Sequence, residues 1–282
     1  MNLNKEERNG YVISEDMKKI WNIQLLCVKK VLDICQKHNL HIWAEGGTLL
    51  GTIRHKGYIP WDDDIDIEMT RPNYERFIRE FEGAYSHLSV CCPEKDWGYY
   101  APYANVIDNR TVLEEGGISH RGRTIGVKID VFPLDGYSED EATDRRDYGR
   151  LIRLNAILRL KRISWDEDVK RASGLRKGLV AAKWLVAQLI PYGWLQRRLI
   201  RFAKRHNYES APYVGCQTFS WSFVRLKRSV FDTYCPIEFE GRTFQAIADY
   251  DTYLTAKYGD YMQLPPKEKR VCQHQFRAYW KD

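Results

Sequence analysis

In the run Trp61-Asp62-Asp63-Asp64-Ile65-Asp66-Ile67, acidic residues crowd together between apolar neighbours. From Asp64 to Ile67 the pattern alternates with the period of a β-strand, which puts Asp64 and Asp66 on one face and Ile65 and Ile67 on the other. The apolar face anchors the strand in a core, so the two carboxylates are held side by side. Charges of one sign at such spacing repel unless a cation lies between them. Hard oxygen ligands suit Mg²⁺, with Mn²⁺ as a second choice, and Mg²⁺ is usually held by one or two carboxylates plus substrate phosphates. Three other readings fit less well. A solvated acidic loop would not be flanked by Ile59, Trp61, Ile65 and Ile67. An EF-hand loop starting at Asp62 needs Gly at its sixth position and Glu at its twelfth, where this chain has Ile67 and Asn73. Two acids on one strand are poorly placed to flank a sugar from opposite sides, as a glycosidase requires.

Upstream of the acidic run, residues 40–44 read as a short buried strand ending at Glu45-Gly46-Gly47, and Thr48 stands where it would cap a short helix over residues 49–54. Glycines let the backbone approach a phosphate, and a helix N-terminus offers it unpaired N–H groups. Gly46-Gly47-Thr48 alone is a weak signal for phosphate binding; followed by an acidic strand it becomes a phosphate-and-metal constellation. Arg54, His55 and Lys56 then follow the short helix and are candidates to neutralise phosphate charge.

Elsewhere, Ser14-Glu15-Asp16 suits a helix start, and Ile20, Ile23, Cys27, Val31 and Ile34 recur at helical spacing to about residue 37. Pro72 marks the first turn of a helix whose apolar face is Tyr74, Phe77, Ile78 and Phe81. Strands are expected over 88–92, 103–107 and 126–132, the last carrying Asp130 as a further strand-borne acid. Residues 139–206 read as helical and basic, 210–240 as irregular and aromatic, and 243–258 as a last long helix before Pro265-Pro266. The order of elements gives an α/β (α+β) fold, a mixed β-sheet flanked by helices with an added basic helical insertion.

A chain of 282 residues with 44% hydrophobic side chains can bury one substantial core. Its seven cysteines form no CxxC pair, Cys272-Gln273-His274 has poor zinc-ligand spacing, and the N-terminus has no apolar signal core. An intracellular protein with free thiols is therefore expected. Charge is distributed unevenly: residues 145–206 hold 17 Lys/Arg and 4 Asp/Glu, a balance of +13 in a chain of net charge +6, so the remainder carries −7. Within this segment, residues 178–195 are apolar but broken by Lys183, Gln188 and Pro191, which fits an interfacial helix on an anionic membrane better than a spanning one. An ordinary core helix with a solvated basic edge is an equal reading. Nucleic acid ranks lower, because no recognised binding module accompanies the basic stripe.

The stretch from Glu45-Gly46-Gly47-Thr48 through Gly51-Thr52-Ile53-Arg54-His55-Lys56-Gly57 to Trp61-Asp62-Asp63-Asp64-Ile65-Asp66 resembles the signature of LicD proteins. These are phosphocholine transferases of the nucleotidyltransferase superfamily, related to the fukutins. The resemblance continues in Val127-Lys128-Ile129-Asp130-Val131-Phe132-Pro133-Leu134-Asp135-Gly136, in Tyr258-Gly259-Asp260-Tyr261-Met262, and in Pro265-Pro266 and His274. The chain departs from the family at His274-Gln275, where paired histidines are frequent, and residues 145–206 match no family motif.

The resemblance implies a nucleotidyltransferase-like core over residues 1–138, the basic insertion over 139–209, and a C-terminal part over 210–282 that completes the domain. It implies Mg²⁺ on Asp64 and Asp66, with Asp130 sharing the metal or acting as base, and donor phosphates on Gly46, Gly47 and Thr48. The implied reaction moves a phosphoalcohol, phosphocholine first, from a CDP-activated alcohol to a hydroxyl of a glycan or lipid-linked glycan, releasing CMP. Trp61, Trp97, Tyr99, Tyr100 and Trp221 are candidates for an aromatic cage around a quaternary ammonium, and His274 for a substrate contact. Two alternatives stand beside this: a nucleotidyltransferase that leaves the nucleoside monophosphate on the acceptor, and an inert membrane-surface protein that binds glycan or nucleotide.

Overall fold

Ser14 starts the first long helix as its sequence predicts: its hydroxyl accepts the Met17 N–H at 3.1 Å, and Glu15 and Asp16 lie in the positive first turn. Helix α1 (Glu15–Lys37) buries Ile20, Trp21, Gln24, Val28, Val31 and Ile34 against the central sheet. The computed structural model describes residues 1–115, 124–162, 174–218, 222–272 and 276–281.

The sheet is built around β8 (Lys128–Tyr137), whose residues after Lys128 are all buried. On one side β8 runs parallel to β4 (Asp66–Thr70), with Asp66 opposite Asp130. Its other side is shared end to end by β6 (Ala104–Asp108) and β9 (Tyr213–Cys216), both antiparallel. Strand β3 (Trp43–Ala44) extends the sheet beyond β4, β5 (Leu88–Cys91) beyond β6, and β10 (Leu226–Lys227) beyond β9. Three two-stranded pairs lie outside it: β1 (Glu6–Arg8) with β2 (Tyr11–Ile13), β7 (Thr111–Glu115) with β13 (Phe276–Trp280), and β11 (Tyr234–Phe239) with β12 (Arg242–Ile247). The mixed α/β class expected from the sequence is the one observed.

Helix α3 (Arg71–Glu80) starts at Thr70, with Pro72 in its first turn, and buries Tyr74, Phe77 and Ile78. The basic segment forms α4 (Glu141–Leu160), α5 (Gly174–Leu189) and α6 (Tyr192–Ala203), with Pro191 separating the last two. Helices α4 and α6 enclose a second apolar cluster of Leu151, Leu158, Tyr192, Leu195, Leu199 and Ile200. Two buried polar side chains tie α6 to the loop that leads into β6. The Tyr192 hydroxyl donates to the Tyr100 carbonyl at 2.6 Å, and the Gln196 amide donates to the carbonyls of Tyr99 and Ala101 at 3.0 and 2.9 Å.

Several boundaries differ from the sequence reading. The strand expected over 40–44 is reduced to Trp43–Ala44, and α2 (Gly46–His55) starts three residues early, at Gly46. Its N-cap is Glu45, whose side chain makes no capping bond, so Thr48 is not a cap. Asp64 precedes β4 rather than lying in it. The region 210–240 contains strands, and the expected helix over 243–258 is split into β12 and α7 (Tyr250–Tyr258). The split has a local cause: Glu240-Gly241, both at positive φ, turn the chain back on itself, and pairing with β11 outweighs helical periodicity in 243–247. Among the described residues no helix is long and apolar enough to cross a membrane, and none of the seven cysteines is joined in a disulfide.

Candidate active site

The N-terminus of α2 and the start of β4 are stitched together by backbone chemistry. The Glu45 N–H donates to the Asp66 carbonyl at 3.0 Å, and the Asp66 N–H donates to the Thr48 hydroxyl at 2.8 Å. Thr48 thus fixes the strand to the helix, and Asp66 is brought against the first turn. The acidic loop is pinned from the other side by α1: the Trp21 indole donates to the Asp62 carbonyl and the Gln24 amide to the Asp63 carbonyl, both at 2.9 Å. Parallel pairing then sets Asp130 beside Asp66, on a strand about 4.8 Å away.

Glycine is required at the helix start. Gly46 has φ +50°, and a Cβ there would lie 3.2 Å from Lys257 Nζ and 3.7 Å from Asp66 Oδ2. A Cβ on Gly47 would come within 2.8 Å of Asp62 Oδ2. Carboxylates 62 and 66 therefore lie directly against the end of α2, whose first N–H groups have no intrahelical partner.

The electrostatics are those of an acid cluster short of positive charge. Burial, then the charges of Asp64, Asp130, Glu45 and Asp62, push Asp66 well above the ordinary carboxylate range. Asp62 is pushed well up by burial and then by Asp64. Asp64 rises to about 6 through burial and the charges of Asp63 and Asp130, with Lys128 opposing. All three keep partial access to solvent. Such a site favours protons or a cation, and its donors are hard carboxylate oxygens, so these residues fit Mg²⁺. Among the described residues no group of three or more His, Cys, Asp or Glu side chains is arranged to hold a metal by itself. Asp130 has its own partners: Lys128 Nζ at 2.9 Å, the Tyr103 hydroxyl at 3.2 Å, and the Asn105 amide, itself held by the Tyr99 hydroxyl.

Sequence reasoning missed the cation nearest the helix start. Lys257, from α7, is ion-paired with Glu45, which also accepts from the Tyr253 hydroxyl. Burial lowers the affinity of Lys257 for its proton, but the Glu45 charge and then Tyr253 and Tyr258 outweigh it, so its pKa is raised. No motif marked it, because 212 positions of chain separate it from Glu45; its only signal was its place beside Tyr258-Gly259.

Other candidates lie elsewhere. Arg54, His55 and Lys56 occupy the C-terminal end of α2, about 14 Å from its start at 1.5 Å per residue. There Arg54 donates to the Gln263 carbonyl at 3.2 Å, and Lys56 is an exposed left-handed cap. His55 lies 2.8 Å from the Asn9 amide, and burial followed by Arg54 and Arg8 lowers its pKa to about 4, so it carries no charge at neutral pH. The structure therefore does not bring this trio to the start of α2, where the nearby cation is Lys257. Tyr99 and Tyr100 are 2% and 3% exposed and present no open ring face, which corrects their place in an aromatic cage. Trp97 is packed by Gly193 and Arg197, and Trp61 by Tyr11 and by Arg270 at 5.7 Å from its ring centroid. Trp221 and His274 lie outside the described residues.

A family model described as LicD/FKTN/FKRP, nucleotidyltransferase domain, matches residues 39–135, the stretch that carries α2, the acidic loop, β4 and Asp130. Lipopolysaccharide cholinephosphotransferase LicD of Haemophilus influenzae is 30% identical over 267 residues, covering 91% of this chain and 96% of that protein. An uncharacterized protein of Rickettsia prowazekii is 42% identical over 102 residues, 32% of this chain and 37% of its own. With a match that runs nearly end to end in both proteins, on top of this acidic centre, the chain belongs to the LicD family.

Proposed function

We propose that the protein transfers a phosphoalcohol, phosphocholine first, from a CDP-activated alcohol to a hydroxyl of a cell-surface glycan or its lipid-linked precursor, with Mg²⁺ bound and CMP released. The observation that carries this reading is the set of mutually repelling carboxylates, Asp62, Asp64 and Asp66, at an uncapped, glycine-lined helix N-terminus. Phosphocholine as the transferred group follows the Haemophilus relative, a lipopolysaccharide cholinephosphotransferase.

In this reading Asp64 and Asp66 would hold Mg²⁺, which when bound would supply charge withdrawal from the phosphate oxygens and screening between the carboxylates. The N–H groups of Gly46 and Gly47 meet the donor phosphates, and Lys257 supplies positive charge beside them. The acceptor oxygen forms a bond to the distal phosphorus, the bond from that phosphorus to the bridging oxygen breaks, and the electron pair leaves with CMP. The acceptor proton passes to Asp130, whose orientation is fixed by Lys128, Tyr103 and Asn105. Charge accumulates on phosphate oxygens throughout, so positioning and electrostatics supply most of the catalysis.

Incubation with CDP-choline, CDP-ribitol and CDP-glycerol, each with candidate glycans, should release CMP and leave the phosphoalcohol on the glycan. Nucleotide label on the glycan would instead establish nucleotidyl transfer. Loss of the Lys257 charge is tested best as Lys257→Met with Glu45→Gln, which leaves no unpaired buried ion. The double variant should fold, and its KM for the CDP donor should rise about tenfold, the size of one lost charge-assisted hydrogen bond; an unchanged KM would remove Lys257 from the donor site.

A further inference from the structure

Helix α5 presents its apolar residues outward. Leu179, Ala182, Leu185, Val186 and Leu189 recur at helical spacing along one exposed face, with Leu189 83% and Leu179 65% accessible. Its inner side is fixed to α4, where Lys161 Nζ donates to the carbonyls of Ala187 and Gln188 at 2.8 and 3.2 Å. A soluble helix normally does the reverse, and a contiguous exposed apolar stripe marks a surface that meets something else.

The charge around the stripe says what that is. Residues 174–206 contain eight Lys/Arg and no Asp/Glu. Beyond Pro191, the exposed face of α6 carries Trp194, Arg197, Arg198 and Arg201, with the Arg198 guanidinium 5.2 Å above the Trp194 ring. An apolar stripe bordered by arginines and an exposed tryptophan is the pattern of a helix lying in the headgroup layer of an anionic bilayer. A second copy of the chain fits worse, because two-fold pairing would bring the same arginine ridge against itself.

We propose that the outer faces of α5 and α6 form a docking surface for anionic lipid, seating the protein on a membrane without crossing it. The surface is connected to the acidic centre: Tyr192 and Gln196 bond the backbone of residues 99–101, and the Tyr99 hydroxyl bonds Asn105, the partner of Asp130. Docking is independent of the donor assigned above and is measured without nucleotide, so failure of either claim is seen separately.

The test is co-sedimentation of the full chain with phosphatidylcholine vesicles containing or lacking about 30 mol% phosphatidylglycerol. Binding is expected only to the anionic vesicles and should be lost near 0.5 M salt, where the Debye length falls to roughly 4 Å. Leu185→Asp with Leu189→Asp, and separately Arg197→Ala with Arg198→Ala and Arg201→Ala, should each lower binding at least about tenfold. All are exposed positions, and unchanged circular dichroism will show that the variants are folded. Failure of wild type to bind, equal binding to both vesicles, or full binding by the variants would overturn the proposal. So would a lipid-free dimer that the leucine variants convert to monomer.

Discussion

Asp64→Asn and Asp66→Asn are each expected to lower Mg²⁺-dependent transfer by at least about a hundredfold, because several kcal/mol of stabilisation of phosphate charge depends on the ligand they remove. The same changes should leave the fold intact. Both carboxyls sit among other carboxyls, with pKa values raised by burial and by their neighbours. A carboxyl whose folded pKa lies above its unfolded one destabilises the native state at neutral pH. Removing the charge should therefore keep or raise the thermal midpoint measured without metal. Added Mg²⁺ should raise the midpoint of wild type by mass action and have little effect on either variant. Wild-type turnover by either variant would mean that the metal lies elsewhere.

Asp135 should behave in the opposite way, although it stands in the same sequence motif as Asp130. It is fully buried on β8, and both its oxygens accept from Arg71, at 2.7 Å each, on the first residue of α3. Loss of one partner leaves an uncompensated charge in the core. Asp135→Asn or Arg71→Met is expected to cost about 3–5 kcal/mol of stability, read as a fall in the denaturant midpoint. Joining Arg71→Met to Asp135→Leu should recover part of that loss, because the fully buried charge is then gone and only the partly exposed Glu94, 3.5 Å from Arg71, loses its partner. If the double variant is as unstable as the sum of the two singles, the pair is not the coupled unit described. In the proposed mechanism Asp130 serves chemistry, whereas Asp135 serves the fold.

Local pattern sufficed for the helices α1 and α3, since Ser14 and Thr70 cap them through their own side chains and a regular apolar face follows each. It also marked the acidic run that the structure gathers at the start of α2, since four aspartates set among Ile and Trp side chains do not suit a freely solvated loop. Alternation put Asp64 on the strand with Asp66, whereas the strand starts only at Asp66 and the proximity of the two comes from a loop pinned by Trp21 and Gln24. Those two read in the sequence merely as members of a helix. Residues 243–247 have helical spacing, yet they form a strand because a partner strand at 234–239 is available across a two-residue turn.

What the sequence determined by itself was the chemistry at hand: the acidic run, the paired glycines before it, the strand acid Asp130 and the basic helical segment, all written in short-range pattern. Tertiary structure decided which charges face which. It set Lys257 rather than Arg54 beside the glycines, gave Asp135 to Arg71, buried Tyr99 behind Asn105 and turned the leucines of α5 outward. Side-chain type follows from the code at one position, but a pair energy depends on the distance between two, and that distance is fixed only when strands and helices remote in the chain pack together.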